Sequence, residues 1–592
     1  MRKFFLSLFS FILIIMSITT QKASANKPFI KEIRIVETSD VHGAFFPYNF
    51  IERQPMSGSM ARVSSFLKAQ RRMYGNLVVA IDNGDILQGQ PVCYYSNVIN
   101  TDAPNVAAEV VNYMNYDAQV FGNHDIETGH EVYDKWIKDL HCPVLGANVI
   151  NTSTGKPYTL PYIIIDRDGL KIAILGLVTP AIPHWLSKNL WEGMRFEEMI
   201  ASARHWMKVL RTEEHADIII GVFHSGWDGG IMTEEYEENA TKKIAERVSG
   251  FDAIFFGHDH AERAETINGI PCLNPSCNAN KVAVATITLI ADPPRLTPDG
   301  RVPSPTKGLK WRIADRSGEI VDISDLPVDE DYMKHFQPTI DSVNAYVNRE
   351  IGVCPVSLHT RDCFFGPAAF TDYIHGLQLE QTGADVSFNA PLNFDSEIKQ
   401  GPVFMSDMFK LYRFENQIYV LRMTGEEIRK YLEYSYDLWI NTMQSPDDHI
   451  MLLTSQTLND QRIRFKNLTF NFDSAAGIAY EVDVTKPNGQ RIRILQFSDG
   501  RPFDGKAWYR VAMNSYRGNG GGELLTSGAG IPVKDIPNRI VSMSQYDQRY
   551  YLTQKIEKEG SINTKPYTNW CFVPEEWTKP ALQRDRKLLF KE

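Results

Sequence analysis

The stretch Ile33-Arg-Ile-Val-Glu37-Thr-Ser-Asp-Val-His42-Gly43 places an aspartate and a histidine directly after a run of strand-type residues. The arrangement recurs where apolar runs lead into the blocks Asn83-Gly-Asp85, Gly122-Asn-His-Asp125, Phe223-His224 and Gly257-His-Asp-His260. In open α/β sheets the loops at the carboxyl ends of the strands converge in one crevice, so we expect these polar side chains to meet. The five blocks therefore predict a layered α/β domain with a single site along one edge of its sheets.

The spacing of apolar residues predicts alternating strands and helices from Lys31 to about Ile290. Met60 to Met73 has the pattern of an amphipathic helix that stops at Gly75, and Pro104 opens another. Several of the runs are apolar on both faces, which is typical of strands buried inside a layered domain. The predicted strands are Ile33–Glu37, Leu77–Ile81, Ala118–Phe121, Ile172–Leu175, Asp217–Ile220 and Ala253–Phe256.

The side chains after these strands form a set of metal-type ligands: Asp40, His42, Asp85, Asn123, His224, His258 and His260. Carboxylate, amide and imidazole donors without a thiolate suit two divalent ions such as Zn or Mn rather than an iron–sulfur cluster. Two ions about 3.5–4 Å apart can activate a water molecule and stabilise displacement at phosphorus, with Asp85 as the bridging carboxylate. A single histidine at a strand end is more often an ordinary loop residue, so the prediction depends on the ordered set.

The length of 592 residues predicts two folded domains, and the composition, with 43% hydrophobic and 23% charged residues, is that of a globular protein. The net charge of −10 argues against a nucleic-acid partner and leaves a small-molecule substrate. A loop is expected over residues 291–307, then a linker helix near Asp329–Glu350, and β-rich stretches at Thr469–Phe472, Ala479–Val484 and Arg491–Phe497. The predicted segments are a first domain over 26–328, a linker over 329–355, a second domain over 356–551 and a tail over 552–592.

The N-terminus has the pattern of a signal peptide over residues 1–25. Arg2 and Lys3 precede an apolar run from Phe4 to Ile18, and Ala23-Ser-Ala25 is a small-x-small cleavage signal. We therefore expect export to the periplasm or the extracellular space with no stable membrane insertion, the alternative being an uncleaved anchor. Of seven cysteines the nearest pairs are Cys272–Cys277 and Cys354–Cys363; an exported chain could oxidise them, or they could be small buried side chains.

The ligand blocks resemble those of calcineurin-like metallophosphoesterases, and specifically the 5′-nucleotidase family, which includes UDP-sugar hydrolases and 2′,3′-cyclic phosphodiesterases. The resemblance implies a four-layer αββα metallophosphoesterase domain that a linker helix joins to a C-terminal α+β substrate-binding domain. It also implies that Asp85 is shared by both metal ions. The first ion would be held by Asp40, His42, Asp85 and His260, and the second by Asp85, Asn123, His224 and His258.

In that family the histidine after the ligand asparagine, here His124, assists at the scissile phosphate and pairs with an acid three residues on. This chain has Glu127 where many members have aspartate. The alternative is that Asp125 orients the imidazole and that Glu127 is a solvated loop residue.

The second domain matches the family less closely. Phe414 and Tyr516 resemble the two aromatic residues that stack on the nucleobase, Asn416 a base contact, and Arg361 a substrate-binding arginine. The family's Asn-Gly-Gly-x-Arg appears here as Asn389-Ala-Pro-Leu-Asn393 followed by Phe394. Its ribose-binding aspartate is replaced by Glu523, which could substitute for it.

The resemblance implies an exported two-metal phosphohydrolase that acts on 5′-nucleotides or related phosphate esters. The departures in the second domain leave alternatives open: a 2′,3′-cyclic nucleotide phosphodiesterase, a UDP-sugar hydrolase or a phosphomonoesterase for a non-nucleotide ester. A nucleotide-binding envelope protein without turnover is a further alternative, although binding alone would not require His124 or a bridging Asp85.

Overall fold

The computed structural model describes residues 28–292, 309–454 and 464–591. The predicted signal peptide and nearly all of the loop expected over residues 291–307 lie outside these ranges. Within them, no helix combines the length and the apolar character needed to traverse a lipid bilayer.

A six-stranded sheet carries the first three ligand blocks. Its inner strands are parallel and two antiparallel strands complete one edge, so the carboxyl ends of the parallel strands point the same way. The central strand is buried along its whole length, as its apolar sequence predicts. In spatial order the strands are Arg312–Asp322, Lys281–Ala291, Phe29–Thr38, Val78–Asp82, Ala118–Val120 and Val144–Leu145.

A second six-stranded sheet carries the remaining ligand blocks and packs face to face against the first. Isoleucine and valine side chains of both sheets, such as Ile35 and Ile220, form one buried cluster between them. In spatial order its strands are Arg263–Ile267, Ile270–Asn274, Ala253–Phe256, Ile218–His224, Leu170–Val178 and Tyr162–Arg167.

Helices cover the outer faces of both sheets and complete the four layers αββα. The helix Met60–Tyr74 ends at Gly75, whose φ is 60°, as the sequence predicted. The helices on the first sheet are Met60–Tyr74, Val106–Tyr113, His130–Asp139 and Glu330–Val347; those on the second are Met199–Thr212 and Thr241–Arg247.

The predicted linker helix is present as Glu330–Val347. Its N-cap is Asp329, whose carboxylate accepts backbone N–H groups of the first turn and binds Lys68 of the first domain at 2.6 Å. Phe336 and Val343 lie in the core of that domain. The linker helix is therefore fixed to the metal-binding domain.

The second domain is built on a five-stranded and a three-stranded sheet. The capping box of Thr424 and Glu427 opens the helix Gly425–Trp439, whereas Thr469–Asn471, expected as β structure, forms a 3-10 turn. The strands of the larger sheet, in order, are Ser474–Ala476, Val386–Asn389, Trp508–Asn514, Gln417–Thr424 and Ile540–Asp547; those of the smaller are Ile492–Phe497, Ile478–Asp483 and Trp570–Val573. The other long helices are Ala369–Thr382, Gln548–Glu559 and Glu575–Phe590.

Residues beyond 551, set apart above as a tail, pack into this domain. The strand Trp570–Val573 pairs in parallel with Ile478–Asp483, and the helix Glu575–Phe590 follows it. Trp570 and Phe590 are buried in the domain core, because large apolar side chains in the segment favour burial over solvent. We propose that the second domain extends to Phe590.

The described residues also form five small two-stranded antiparallel sheets: Tyr48–Asn49 with Gln54–Pro55, Val149–Asn151 with Met194–Phe196, Gly229–Met232 with Glu237–Asn239, Glu350–Cys354 with Gly401–Phe404, and Leu358–His359 with Glu397–Ile398. All seven cysteines lie in the described residues, and none forms a disulfide.

Candidate metal centre and substrate cleft

The seven predicted ligands meet at the carboxyl ends of the strands. Asp40, Asp85 and Asn123 come from the first sheet, and His224 and His258 come from the second. Their ligand atoms form two groups, Asp40–His42–His260 and Asp85–His224–His258, and within each group these atoms lie within 4.8 Å of one another. The face-to-face packing of the two sheets thus brings together residues that are more than two hundred positions apart in the chain.

The loops that carry these side chains have unusual backbone conformations. Five of the seven predicted ligands have positive φ: Asp40, His42, Asp85, His258 and His260. Residues with a Cβ rarely adopt this region, and where they do they cluster at functional sites. Two glycines permit the close approach of neighbouring loops: a Cβ on Gly122 would lie 2.1 Å from Asp85 Oδ1, and one on Gly257 would lie 2.0 Å from Ser39 Oγ.

The first group is organised around Asp40 and His42. His260 Nε2 lies 3.3 Å from Asp40 Oδ1 and 3.1 Å from His42 Nε2. His42 Nδ1 is 3.0 Å from the carbonyl oxygen of Gln88, so Nδ1 carries the proton and Nε2 presents its lone pair to the site.

The second group is organised around Asn123. Its Oδ1 lies 3.1 Å from His224 Nε2 and 2.8 Å from His258 Nδ1. His224 Nδ1 is held by the carbonyl oxygen of Asn83 at 2.6 Å. Asp85 lies between the two groups, with Oδ2 3.2 Å from His224 Nε2 and 4.0 Å from His42 Nε2.

The donors present fit two divalent cations. Burial opposes ionisation of Asp40, yet His260 and His224 hold its pKa at about 2, so it is available as an anionic ligand. Burial likewise opposes a proton on His224, yet Asp85 raises its pKa to about 10. The field that favours a proton on this buried imidazole equally favours a cation among the carboxylates.

Glu238 was not among the predicted residues, although it contacts a predicted ligand. Its Oε1 lies 3.0 Å from His258 Nε2, and its Oε2 accepts the backbone N–H of Ile231 at 2.7 Å. Because an ionised carboxylate can only accept, His258 Nε2 is the donor to Glu238, while Nδ1 faces Asn123 Oδ1. A carboxylate on the outer nitrogen of a ligand histidine fixes its tautomer and raises its basicity.

The predicted dyad is formed by His124 and Glu127. Glu127 Oε2 lies 2.6 Å from His124 Nδ1, and the backbone N–H of His124 donates to Asp85 Oδ1 at 2.8 Å. Burial lowers the pKa of His124, but Asp85 and Glu127 outweigh it and raise the pKa to about 9. The imidazole therefore favours its protonated form, and its ring centroid lies 5.4 Å from that of His42.

Asp125 binds backbone N–H groups rather than the imidazole of His124, which it would orient in the alternative interpretation. Its two oxygens accept four backbone N–H groups, those of Gly122, Asp85, Ile86 and Leu87, at 2.8 to 2.9 Å. It joins the loop that carries Asp85 to the short helix Asn123–Glu127. The carboxylate that touches the His124 ring is that of Glu127.

Tyr516 and Phe414 belong to segments that face the metal domain. Burial raises the pKa of the Tyr516 hydroxyl, Arg517 opposes this, and the carboxylates of Glu238 and Glu127 add to it. Across the same boundary Tyr94 donates to Asp547 at 3.1 Å, and Lys410 pairs with Glu52 at 2.9 Å. The second domain thus packs against the first, and Tyr516 lies near enough to Glu127 and Glu238 for their charges to act on its hydroxyl.

Of the predicted substrate residues, Asn416 is buried beside Phe414, and its Oδ1 accepts the Tyr412 hydroxyl at 3.3 Å. Arg361 is engaged by Asp395 at 2.8 Å and lies over the Phe590 ring. Asn393, at the arginine position of the family motif, donates to the carbonyl oxygen of Lys410 at 3.4 Å. The next residue, Phe394, stacks on Phe590 in the domain core, with ring centroids 4.9 Å apart.

Glu523 is exposed and has a φ of 63°. Its carboxylate accepts Ser527 Oγ at 3.0 Å and the Tyr434 hydroxyl at 3.3 Å. Both partners lie in its own domain, so these bonds locally fix the end of the glycine-rich loop, residues 518–522.

Comparison with known proteins agrees with this geometry. The profile of calcineurin-like phosphoesterases matches residues 33–262, and that of the 5′-nucleotidase C-terminal domain matches residues 350–527. The trifunctional nucleotide phosphoesterase protein YfkN of Bacillus subtilis is 27% identical to this chain over 92% of the chain's length. The match spans only 39% of the length of YfkN. A 2′,3′-cyclic-nucleotide 2′-phosphodiesterase/3′-nucleotidase of Haemophilus influenzae is 25% identical, with 92% of this chain and 88% of that protein covered.

Two solved structures share the fold. A Staphylococcus aureus protein crystallised with alpha-ketoglutarate and named as a candidate 5′-nucleotidase has a TM-score of 0.73 at 22% identity, covering 92% of this chain and all of that one. A 5′-nucleotidase precursor of Thermus thermophilus has a TM-score of 0.60 at 18% identity, with the same coverage. With both domain profiles matched and the ligand groups assembled, the chain belongs to the 5′-nucleotidase family of calcineurin-like metallophosphoesterases and is a metal-dependent phosphoric ester hydrolase.

Proposed function

We propose that this enzyme hydrolyses phosphate esters of nucleosides, with 2′,3′-cyclic nucleotides and 3′-nucleotides as preferred substrates. The observation that carries the proposal is the convergence of two ligand groups around Asp85, next to the His124–Glu127 pair and opposite Phe414 and Tyr516. Two divalent ions bound there supply Lewis acidity and an activated water for attack on phosphorus.

The protein's own side chains have separate tasks in this proposal. Asp40, His42 and His260 would hold one ion, Asn123, His224 and His258 would hold the other, and Asp85 would be available to both. His124, kept protonated by Asp85 and Glu127, donates a hydrogen bond to the phosphoryl group and stabilises the charge that develops in the transition state.

The second domain supports a nucleoside substrate. Phe414 and Tyr516 would stack on the base, a contact that tolerates every base because each has a π face. Asn416 and Glu523 remain proposed contacts to base and ribose. We do not propose Arg361 as a phosphate contact, because its guanidinium is already paired with the carboxylate of Asp395.

The preference for cyclic and 3′-phosphates rests on two points. Asn393 occupies the arginine position of the family motif, and the next residue, Phe394, is packed in an aromatic core, so neither supplies a cation to grip a phosphate. Relatives from Haemophilus, Yersinia and Salmonella that this chain spans to 88–90% of their length carry the name 2′,3′-cyclic-nucleotide 2′-phosphodiesterase/3′-nucleotidase. Hydrolysis of 5′-nucleotides is the second candidate, because the matched C-terminal profile is that of 5′-nucleotidases.

We also propose that the protein acts outside the cytoplasm. The charged start, the apolar run from Phe4 to Ile18 and Ala23-Ser-Ala25 support cleavage after residue 25. Mass spectrometry of the N-terminus of the exported protein tests this, and a mature chain that retains residues 1–25 would contradict it.

A substrate panel tests the activity. Protein loaded with Mn²⁺ or Zn²⁺ is assayed for phosphate release from 3′-AMP, AMP, UDP-glucose and p-nitrophenyl phosphate, and for ring opening of 2′,3′-cyclic AMP. Asp85→Asn is the control, because it keeps the size of the side chain but removes the shared anionic ligand. We expect the highest kcat/KM with the cyclic and 3′-substrates; higher values with AMP would favour the second candidate, and nucleotide binding without turnover would refute both.

A further inference from the structure

Two buried arginines contact the segments that carry Tyr516 and Phe414, the two aromatic residues proposed to stack on the base. Arg517 is 2% exposed and Arg549 is fully buried. A guanidinium cannot lose its proton in a protein, so burying it is costly unless its donors are satisfied. Both residues meet this requirement with contacts to the segments that carry Tyr516 and Phe414.

Arg517 binds residues that pack around Tyr516. Its Nε and Nη2 donate to the two oxygens of buried Asp473 at 3.1 Å each, and Nη1 donates to the carbonyl oxygen of Gly521 at 2.8 Å. Nη2 also donates to the carbonyl oxygen of Phe470, whose ring meets Tyr516 edge-on.

The glycine-rich loop closes tightly over this pair. A Cβ on Gly521 would lie 2.5 Å from the Tyr516 ring, and one on Gly522 would lie 2.3 Å from Arg517 Nη1. The position of the Tyr516 ring is therefore set by the loop backbone, and Arg517 holds that backbone through Gly521.

Arg549 binds the residues on either side of Phe414 in a corresponding way. Its Nε donates to the carbonyl oxygen of Tyr412 at 3.2 Å, Nη2 to that of Arg413 at 2.8 Å, and Nη1 to the carboxylate of Glu415 at 2.8 Å. These partners flank Phe414 on both sides.

We propose that Arg517 and Arg549 are positioning residues that together fix the separation and tilt of the Tyr516 and Phe414 rings and so set the affinity for a nucleobase. The inference rests on the proposed nucleoside substrate and names the residues that make its binding wall rigid. Lysine is a poor substitute at either site, because one ammonium group cannot reach several diverging acceptors with the fixed geometry of a guanidinium.

The test compares Arg517→Lys and Arg549→Lys with Arg491→Lys. Arg491 is a suitable control because it is equally buried in the same domain but bonds to Tyr436 and Thr442, outside both ring-bearing segments. The metal-loaded enzyme is titrated with adenosine by calorimetry, which needs no turnover, and kcat/KM is measured with p-nitrophenyl phosphate, which has no nucleobase. Thermal unfolding reports whether each variant is folded, and Asp473→Asn replaces Arg517→Lys if that variant is not.

We expect each of the two variants to bind adenosine about tenfold more weakly, since base–aromatic stacking is worth about 1–3 kcal/mol. Activity on p-nitrophenyl phosphate should stay within about twofold, and Arg517→Lys should add little in a Tyr516→Ala background because it acts through that ring. Unchanged adenosine binding in folded variants, or an equal loss in Arg491→Lys, would overturn the inference, as would a wild-type enzyme that binds no adenosine. Adenosine binding that weakens as expected in an enzyme that hydrolyses no nucleotide would support the inference and refute the proposed function instead.

Discussion

Glu238 gives the sharpest test of the second metal position, because it acts on a ligand without being one. It contacts His258 Nε2 at 3.0 Å, and the two side chains are 15% and 12% exposed. His258 lowers the pKa of Glu238 against the opposing effect of burial, so the pair is a charge-assisted hydrogen bond. Replacing Glu238 should leave all seven predicted ligands in place and weaken the binding of one of the two ions.

The magnitude follows from what each replacement removes. Loss of a carboxylate behind a ligand histidine typically costs about 10- to 100-fold in metal affinity, or about 1.4 to 2.7 kcal/mol. Glu238→Gln retains one oxygen acceptor, which can serve His258 but not also the backbone N–H of Ile231, so we expect about tenfold. Glu238→Ala removes the acceptor as well, and we expect a loss nearer 100-fold.

Metal content after dialysis against a graded series of chelator concentrations measures the effect. Wild type should retain two ions per chain over a range in which Glu238→Ala retains one. Glu237→Gln is a matched control: Glu237 is the adjacent acid of the same hairpin strand, and its carboxylate pairs with Lys243. A Glu238→Ala protein that holds both ions as tightly as wild type would refute the second-ion assignment of His258, and an equal loss in Glu237→Gln would show that the hairpin alone is responsible.

Three further predictions concern other parts of the molecule: the His124–Glu127 pair, the proposed base-stacking residue Phe414 and the buried carboxyl group of Asp372. Glu127→Gln should lower kcat on p-nitrophenyl phosphate about 10- to 100-fold with little change in KM, because His124 loses the carboxylate that binds its Nδ1 and, with Asp85, raises its pKa; an unchanged kcat in steady-state assays would contradict this. Phe414→Ala should raise KM for nucleotides about tenfold and leave p-nitrophenyl phosphate unaffected, and equal effects on both substrates would argue against base stacking. Burial raises the pKa of Asp372 to about 6, against the opposing backbone N–H of Tyr567, so the folded state binds this proton more tightly than the unfolded chain. The free energy of unfolding should therefore fall by up to about 3 kcal/mol between pH 4 and pH 7, and Asp372→Asn should abolish this fall in denaturant titrations; an identical pH dependence would refute the assignment.

The metal centre could be predicted from sequence because each ligand block is local. A strand, a tight turn and a polar side chain lie within a few residues of one another, and parallel strands place their carboxyl ends together. Asp40, Asp85 and His224 could thus be assigned to one edge before their distances were known. The helix Met60–Tyr74 and the capping box at Thr424 follow from equally local signals.

Glu238 could not be found in this way. It lies in a short hairpin strand, Glu237–Asn239, with no apolar run before it, and its neighbours in sequence include several other acids. Only folding brings it to His258, twenty residues further on. The available signal was weak: an acid between the two strand ends that supply His224 and His258.

The contacts that organise the second domain escaped prediction for a related reason, since they join residues far apart in the chain. Arg517 pairs with Asp473 and Arg549 with Glu415, at separations of 44 and 134 residues, and no periodicity marks either pair. Their local sequences favour the opposite interpretation, because an arginine beside a glycine-rich loop or at the start of a helix is usually exposed. The position of the aromatic wall is therefore a property of tertiary packing, which is why Phe414 and Tyr516 could be predicted from a motif whereas the residues that hold them could not.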